Sequence, residues 1–206
     1  LRDTAQSLLR SGDILDITRL DDERERIAAE LNSRGYFDFT VNNISYRVDT
    51  LGHPTEADVT MIIRPMLVRV DERGQQVWEN NAVYRLRNIN VYPTYDPMLR
   101  STKGFNPTAQ IDTTYYYGLT IIRDKISTPQ LRDAVLRRAI PLYPNYIYNA
   151  DLIDHTNQQL LSMDFFRNSK IEFERVPGDE TFVTFVDDET SEMHDTRERY
   201  IDCNIY

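Results

Sequence analysis

The stretch LNSRGYFDF, Leu31–Phe39, decides how this chain folds. It closes a charged amphipathic run with Gly35 and places Tyr36 and Phe37 directly behind it. A glycine just past a helix tolerates the positive φ that lets the last carbonyls find donors and turns the chain back sharply. The aromatic after that turn is expected to swing under the last helical turn and cover it, with its neighbour starting a strand that pairs beneath the helix. Burying one such ring contributes about 1.5–3 kcal/mol, so the corner is read as a packing device rather than a ligand site.

Upstream, TRLDDERERIAAELNSRG puts Leu20, Ile27, Ala28 and Leu31 on one helical face and charge on the other. Thr18 or Asp21 is the expected cap, and Asp22 with Arg26 and Glu30 with Arg34 stand four apart as ion pairs. Before it, LRDTAQSLLRSG carries Leu1, Ala5, Leu8 and Leu9 at three-to-four spacing and predicts a shorter helix closed by Gly12.

Downstream the period changes from helical to alternating. NNISYRVDT sets Ile44, Tyr46 and Val48 on one side, and ADVTMIIRP follows after a turn, which predicts a hairpin. Residues 67–81 are expected to be a connector with a turn at Arg73 and Gly74. AVYRLRNINVYP then predicts a strand through Tyr84, Leu86, Ile89 and Val91 that Pro93 ends. A Pro-, Thr- and Ser-rich loop runs from Tyr95 to Thr113, and TYYYGLTIIRD is another extended piece. STPQLRDAVLRRAIPLYP predicts a helix capped by Thr128, with Pro129 at its first position and Pro141 as its stop. NADLIDHTNQQLLSM predicts a second helix, and DFFRNSKIEFERV, ETFVTFV and RYIDCNIY alternate as strands do.

The two halves follow one plan. LRD at 1–3 recurs at 131–133, and Leu31, Gly35, Tyr36 and Phe37 fall on Leu160, Asp164, Phe165 and Phe166 when the second half is slid back. Asp164 is one of the few residue types that can take the place of Gly35 at such a corner. Helix, helix, aromatic pair and hairpin is thus the shared order.

That order, with the GYF and DFF corners, resembles the POTRA (polypeptide-transport-associated) domain. LDDERERIAAELNSRGYFDF followed by YRVDT is similar to the version found in barrel-assembly and Tam-type proteins of the Bacteroidetes. The resemblance implies an α+β fold of tandem units, each with two helices on one face of a mixed three-stranded sheet. The units span residues 1–66, lacking a first strand, and 82–206, with insertions. It also implies a place in the periplasm ahead of an outer-membrane barrel lying beyond Tyr206, with unfolded barrel precursors or accessory subunits as partners. Such a sheet leaves an edge on which a partner can add as a strand. The candidate edges are Ile44, Tyr46 and Val48 in the first unit and Lys170, Ile171 and Phe173 in the second. The alternative reading is a spacer module of another envelope complex with one fixed partner, and an enzyme of unknown type ranks third.

The rest of the composition narrows the function classes. Of the 206 residues, 40% are hydrophobic and 28% charged, which suits folded globular units. A net charge of −9 argues against nucleic acid and anionic membrane surfaces as partners. No apolar run is long enough to cross a bilayer as a helix. The single cysteine, Cys203, leaves no internal disulfide and reads as a small buried apolar residue. His53, His155 and His194 lack metal-ligand spacing, no Gly-x-Ser-x-Gly elbow occurs, and the acidic run VDDETSEMHD reads as a solvated loop. No catalytic residue and no cofactor is therefore expected. The tyrosines of TYYYG and PLYPNYIY are expected to pack mainly over their own sheets.

Overall fold

A computed structural model describes residues 6–50, 52, 55–70, 73–94, 111–124, 131–163, 169–186 and 193–206. The chain is α+β. Helix α1 spans Ile17–Ser33, and after a 3-10 turn at Val41–Asn43 the strands β1 (Ile44–Asp49) and β2 (Asp58–Ile63) form an antiparallel hairpin. A second hairpin joins β3 (Met66–Val70) to β4 (Gln76–Glu79). The remainder builds one sheet from β5 (Val83–Val91), β6 (Ile111–Tyr116), β7 (Leu119–Asp124), β8 (Ile171–Val186) and β9 (Met193–Ile205), in the order β6-β7-β5-β9-β8. Two helices, α2 (Asp133–Ala139) and α3 (Ala150–Leu161), lie between β7 and β8 in sequence.

Within that sheet the expected plan is present and extended. Strand β5 runs parallel to β9, which pairs antiparallel with β8, giving the mixed three-stranded unit. The β6–β7 hairpin, from the segment read as one extended piece, adds to the far side of β5 through a parallel β5–β7 pairing. Its turn is made by Tyr117 and Gly118 at φ 44° and 84°. One apolar core joins the sheet to its helices: Tyr84, Leu86, Ile89 and Val91 from β5, Ile201, Cys203 and Ile205 from β9, and Leu136, Ile140, Ile153 and Leu160 from the helical layer are all buried. Cys203 is fully covered, and burial pushes its thiol up to about 12.

The Gly35 corner forms as a Schellman turn. Gly35 has φ +104°, the Tyr36 N–H donates to the Leu31 carbonyl at 3.0 Å, and the Gly35 N–H donates to Asn32 at 3.3 Å. Tyr36 packs against the small core of Ile27, Ala28, Phe39 and Ile44 beneath α1. Phe37 does something else. It does not start β1, which begins at Ile44. Its ring enters the core of the large sheet, edge-on to Tyr84, Tyr148 and Phe173 at centroid distances of 5.5, 5.1 and 5.3 Å. The Gly35 carbonyl accepts the Tyr84 N–H of β5 at 2.8 Å, and Asp38 takes both the Tyr84 hydroxyl and Arg175. Asn149 donates to the Ser33 carbonyl at 2.8 Å, and Ser33 donates to Asp151 at 2.7 Å. The corner therefore joins α1 to the sheet of the second half.

Several expectations are corrected. Within 6–16 no α-helix forms, although Gly12, at φ +88°, does turn the chain. Leu8 remains exposed, so the apolar spacing there finds no face to bury. This segment is tied to α1 by Glu23, which accepts from the Leu8 N–H at 2.9 Å and the Ser7 hydroxyl at 3.0 Å. The α1 cap is Asp16, accepting from the Thr18 N–H, rather than Thr18 or Asp21. Arg26 pairs with Glu23 instead of Asp22, while the Glu30–Arg34 pair is present. Residues 66–79 form a hairpin with Gly74 in its turn. Helix α2 starts at Asp133, with Arg132 at its cap; Thr128 and Pro129 lie outside the described residues.

Two predictions follow from this geometry. A Cβ on Gly35 would stand 2.5 Å from Ile147 Cγ2 and 2.9 Å from Val83 Cγ1, both on stiff branched side chains. Gly35→Ala should thus cost about 2–4 kcal/mol from backbone and overpacking together, and Phe37→Ala about 3–5 kcal/mol from the cavity it leaves, both read from urea midpoints. Glu23 is held below the ordinary carboxylate range by its bond to Arg26, which outweighs the opposing effect of burial, with Leu8 and Ser7 adding to it. A depressed carboxylate contributes stability above its unfolded pKa and loses it as pH falls through the folded value. Wild type should accordingly lose stability on acidification below the usual glutamate range, while Glu23→Gln is weaker by about 1–3 kcal/mol at neutral pH and flatter in acid.

Candidate polypeptide-binding edges

An antiparallel strand points the backbone groups of every second residue toward its partner and those of the others away. That alternation fixes what each edge offers. Lys170 and Tyr206 exchange both backbone bonds, at 3.0 and 2.9 Å, and the register continues as Glu172 with Asn204 and Glu174 with Asp202. Ile171, Phe173 and Arg175 consequently turn their N–H and C=O groups away from β9, and β8 is the last strand of the sheet. In the first half the Arg64 N–H donates to the Asn43 carbonyl at 2.7 Å, and the register then pairs Ser45 with Ile62 and Arg47 with Thr60. Ile44, Tyr46 and Val48 therefore present their backbone groups on the outer side of β1.

The side chains of these residues lie in different surroundings. Ile44 is fully buried under α1, with Tyr46 packed beside it, whereas Val48 is exposed. Ile171 and Phe173 pack against the main core, Phe173 edge-on to both Phe37 and Tyr148. Burial pushes the Tyr148 hydroxyl up to about 12. Lys170 is exposed and pairs with Glu172. Beyond Arg175 the ladder is interrupted before Glu180, and Gly178 there has φ +82°. An added strand along 171–175 would thus meet a straight, core-backed edge that ends at an irregularity.

Of the corner residues, Gly35, Tyr36 and Phe37 are placed as described, while Asp164, Phe165 and Phe166 lie outside the described residues. Asp38 was missed. Its only sequence signal is a carboxylate directly after the ring pair, yet it gathers Tyr84 and Arg175. The cross-strand pair Arg85–Glu198 and the pair Arg199–Glu79, which links β9 to β4 of another sheet, are likewise not legible in the sequence. Glu198 is held low by its bond to Arg85. His155 is exposed on α3, and His53 lies outside the described residues. Among the described residues no group of His, Cys, Asp or Glu is arranged to hold a metal ion, and no helix is long and apolar enough to cross a membrane.

A search of curated proteins gives no match. Among solved structures, the chain is similar to Haemophilus influenzae BamA POTRA3-5, at 11% identity and a TM-score of 0.25, covering 94% of this chain and 82% of that one. Residues 3–66 match the family model described as POTRA, surface antigen variable number repeat. The matched segment runs through α1, the Gly35 corner and the β1–β2 hairpin, and it is this part of the chain that is similar to the POTRA family.

Proposed function

We propose that this chain is a periplasmic scaffold of an outer-membrane protein assembly or translocation barrel, which holds client or accessory polypeptides by strand addition. The family match over residues 3–66 carries this reading. Residues 1–66 and 82–206 act as two units of one kind, joined through 67–81, with a membrane barrel of the same parent chain beyond them.

The binding edges are the outer sides of β1 and β8. An incoming extended segment gains hydrogen bonds from the backbone groups of Ile44, Tyr46 and Val48, or of Ile171, Phe173 and Arg175. Such bonds make no demand on the sequence of the client, which suits a surface that meets many unfolded chains. Charge along the β8 edge, from Lys170 just before β8 and from Glu172, Glu174 and Arg175 on it, keeps it from pairing with copies of itself. No catalytic step is part of this function.

The test places a photoreactive residue at Arg47 or Lys170, both exposed, and at Asp154 on the exposed side of α3 as a control. With an unfolded peptide of alternating barrel-strand pattern as probe, labelling at 47 and 170 should exceed that at 154. Equal labelling at all three positions rejects strand addition.

A further inference from the structure

An edge strand is bonded to its sheet along one side, so its order depends heavily on what its side chains touch. In β8 the residues that turn their backbone groups outward are Ile171, Phe173 and Arg175, and the two-residue period puts the side chains of these same three on one face. Two of those side chains are held by consecutive residues from the first half. The Phe37 ring stands edge-on to Phe173 at 5.3 Å, and the Asp38 carboxylate accepts from Arg175. Phe173 and Arg175 thus offer backbone to the outside and side chain to the Gly35 corner.

The corner is itself fixed at its other end. The Gly35 carbonyl accepts from the Tyr84 N–H at 2.8 Å and from the Phe37 N–H at 2.9 Å, and Asp38 takes the Tyr84 hydroxyl with its second oxygen. Residues 35–38 therefore tie β5 to β8, which have β9 between them in the sheet. Asp38 is 8% exposed and Arg175 65%, so the anchored member of the pair belongs to the first half. Their bond falls on the last regular rung, because the β8–β9 ladder is interrupted between Arg175 and Glu180. Tyr36 and Phe39, on either side of Phe37 and Asp38, pack instead into the small core that backs β1. One short stretch thereby divides its side chains between the two halves, and only Phe37 and Asp38 reach β8.

We propose that Phe37 and Asp38 are positioning residues for the β8 edge: while the corner is docked they hold Phe173 and Arg175 in the straight form that an incoming strand needs, and a strand bound there tightens the joint between the halves in return. The proposal rests on the reading of β8 as a polypeptide-binding edge. Its return effect is required by linkage, since a coupling free energy between two events is the same in both directions.

The test uses the whole chain with Asp38→Asn, Arg175→Gln and the two combined. Hydrogen exchange without peptide is read at the amides of Glu172 and Glu174, which bond to β9, and at Arg47, which bonds to β2. Either single substitution should speed exchange at 172 and 174 by about tenfold and leave 47 unchanged. The double variant should be no faster than the singles, because both remove the same bond. A peptide of alternating barrel-strand pattern, read through a photoreactive residue at 170, should then need about tenfold more peptide for half-labelling in each variant. In the wild type, saturating peptide should slow exchange of the Tyr84 N–H that bonds to Gly35. Unchanged exchange at 172 and 174, or equal acceleration at 47, overturns the proposal, as does labelling at 170 with an unaltered half-labelling concentration. An effect of Asp38→Asn without one of Arg175→Gln assigns the effect to Tyr84 and overturns it too. Wild type labelled no better at 170 than at 154 rejects strand addition at β8, while accelerated exchange at 172 and 174 would still assign the positioning role. Arg175→Gln, at an exposed side chain, keeps the result readable if Asp38→Asn fails to fold.

Discussion

The structure depends on one residue of backbone and the ring two positions after it. At Gly35 the chain must leave α1 through a positive φ, and only a residue without a Cβ fits between Ile147 and Val83 at that point. That close approach brings the Gly35 carbonyl to the Tyr84 N–H, so the corner is bonded directly to β5. It also delivers Phe37 into a cluster with Tyr84, Tyr148 and Phe173, where edge-to-face contacts add about 0.5–1.5 kcal/mol each beyond burial. Helix ending and the joining of the halves are thus one event. Asp38 reinforces it from the other side by accepting from Tyr84 and Arg175. Burial, and then the bond to Asp38, hold the Tyr84 hydroxyl in its protonated, donating form.

Consequences for the edges follow from this coupling. Phe173 belongs to β8 and to the Phe37 cluster at once, so the strand that carries one candidate edge is anchored by the corner of the other half. A partner adding to β8 would meet a strand fixed from behind by its own side chains. Less ordering entropy is then lost on binding than for a loose segment. The β1 edge is backed more thinly, by the small core of Ile27, Ala28, Phe39 and Ile44 beneath α1.

Local signals in the sequence were legible because they act locally. The charged amphipathic pattern of α1, the Gly35 turn, the β1–β2 alternation and the Asn149 start of α3 each depend on neighbours within a few residues, and the structure carries them all. What sequence did not reveal depends on partners far along the chain. Leu8 and Leu9 have helical spacing, but a helix needs a face to bury, and that segment is held as a strap by the Glu23 carboxylate instead. Phe37 reads as the start of a strand because its destination, between Tyr148 and Phe173, lies more than a hundred residues away. The β3–β4 hairpin was passed over as a connector, since its one firm mark is the glycine at 74.

The outer strands β8 and β2 differ in the charge along them and in how far their apolar side chains are covered. Sheet edges left open to solvent are commonly guarded by charge, which makes pairing reversible and discourages association of like chains. The β8 edge has such a guard in Lys170, Glu172, Glu174 and Arg175, and its apolar side chains are already spent on the core. Along Val59–Ile63 there is no guard, and three apolar side chains on the helix side stand more than a third exposed. The two hairpins share one pairing pattern, and what differs is the cover: β8 and β9 lie beneath two helices and beside β5, whereas β1 and β2 lie beneath α1.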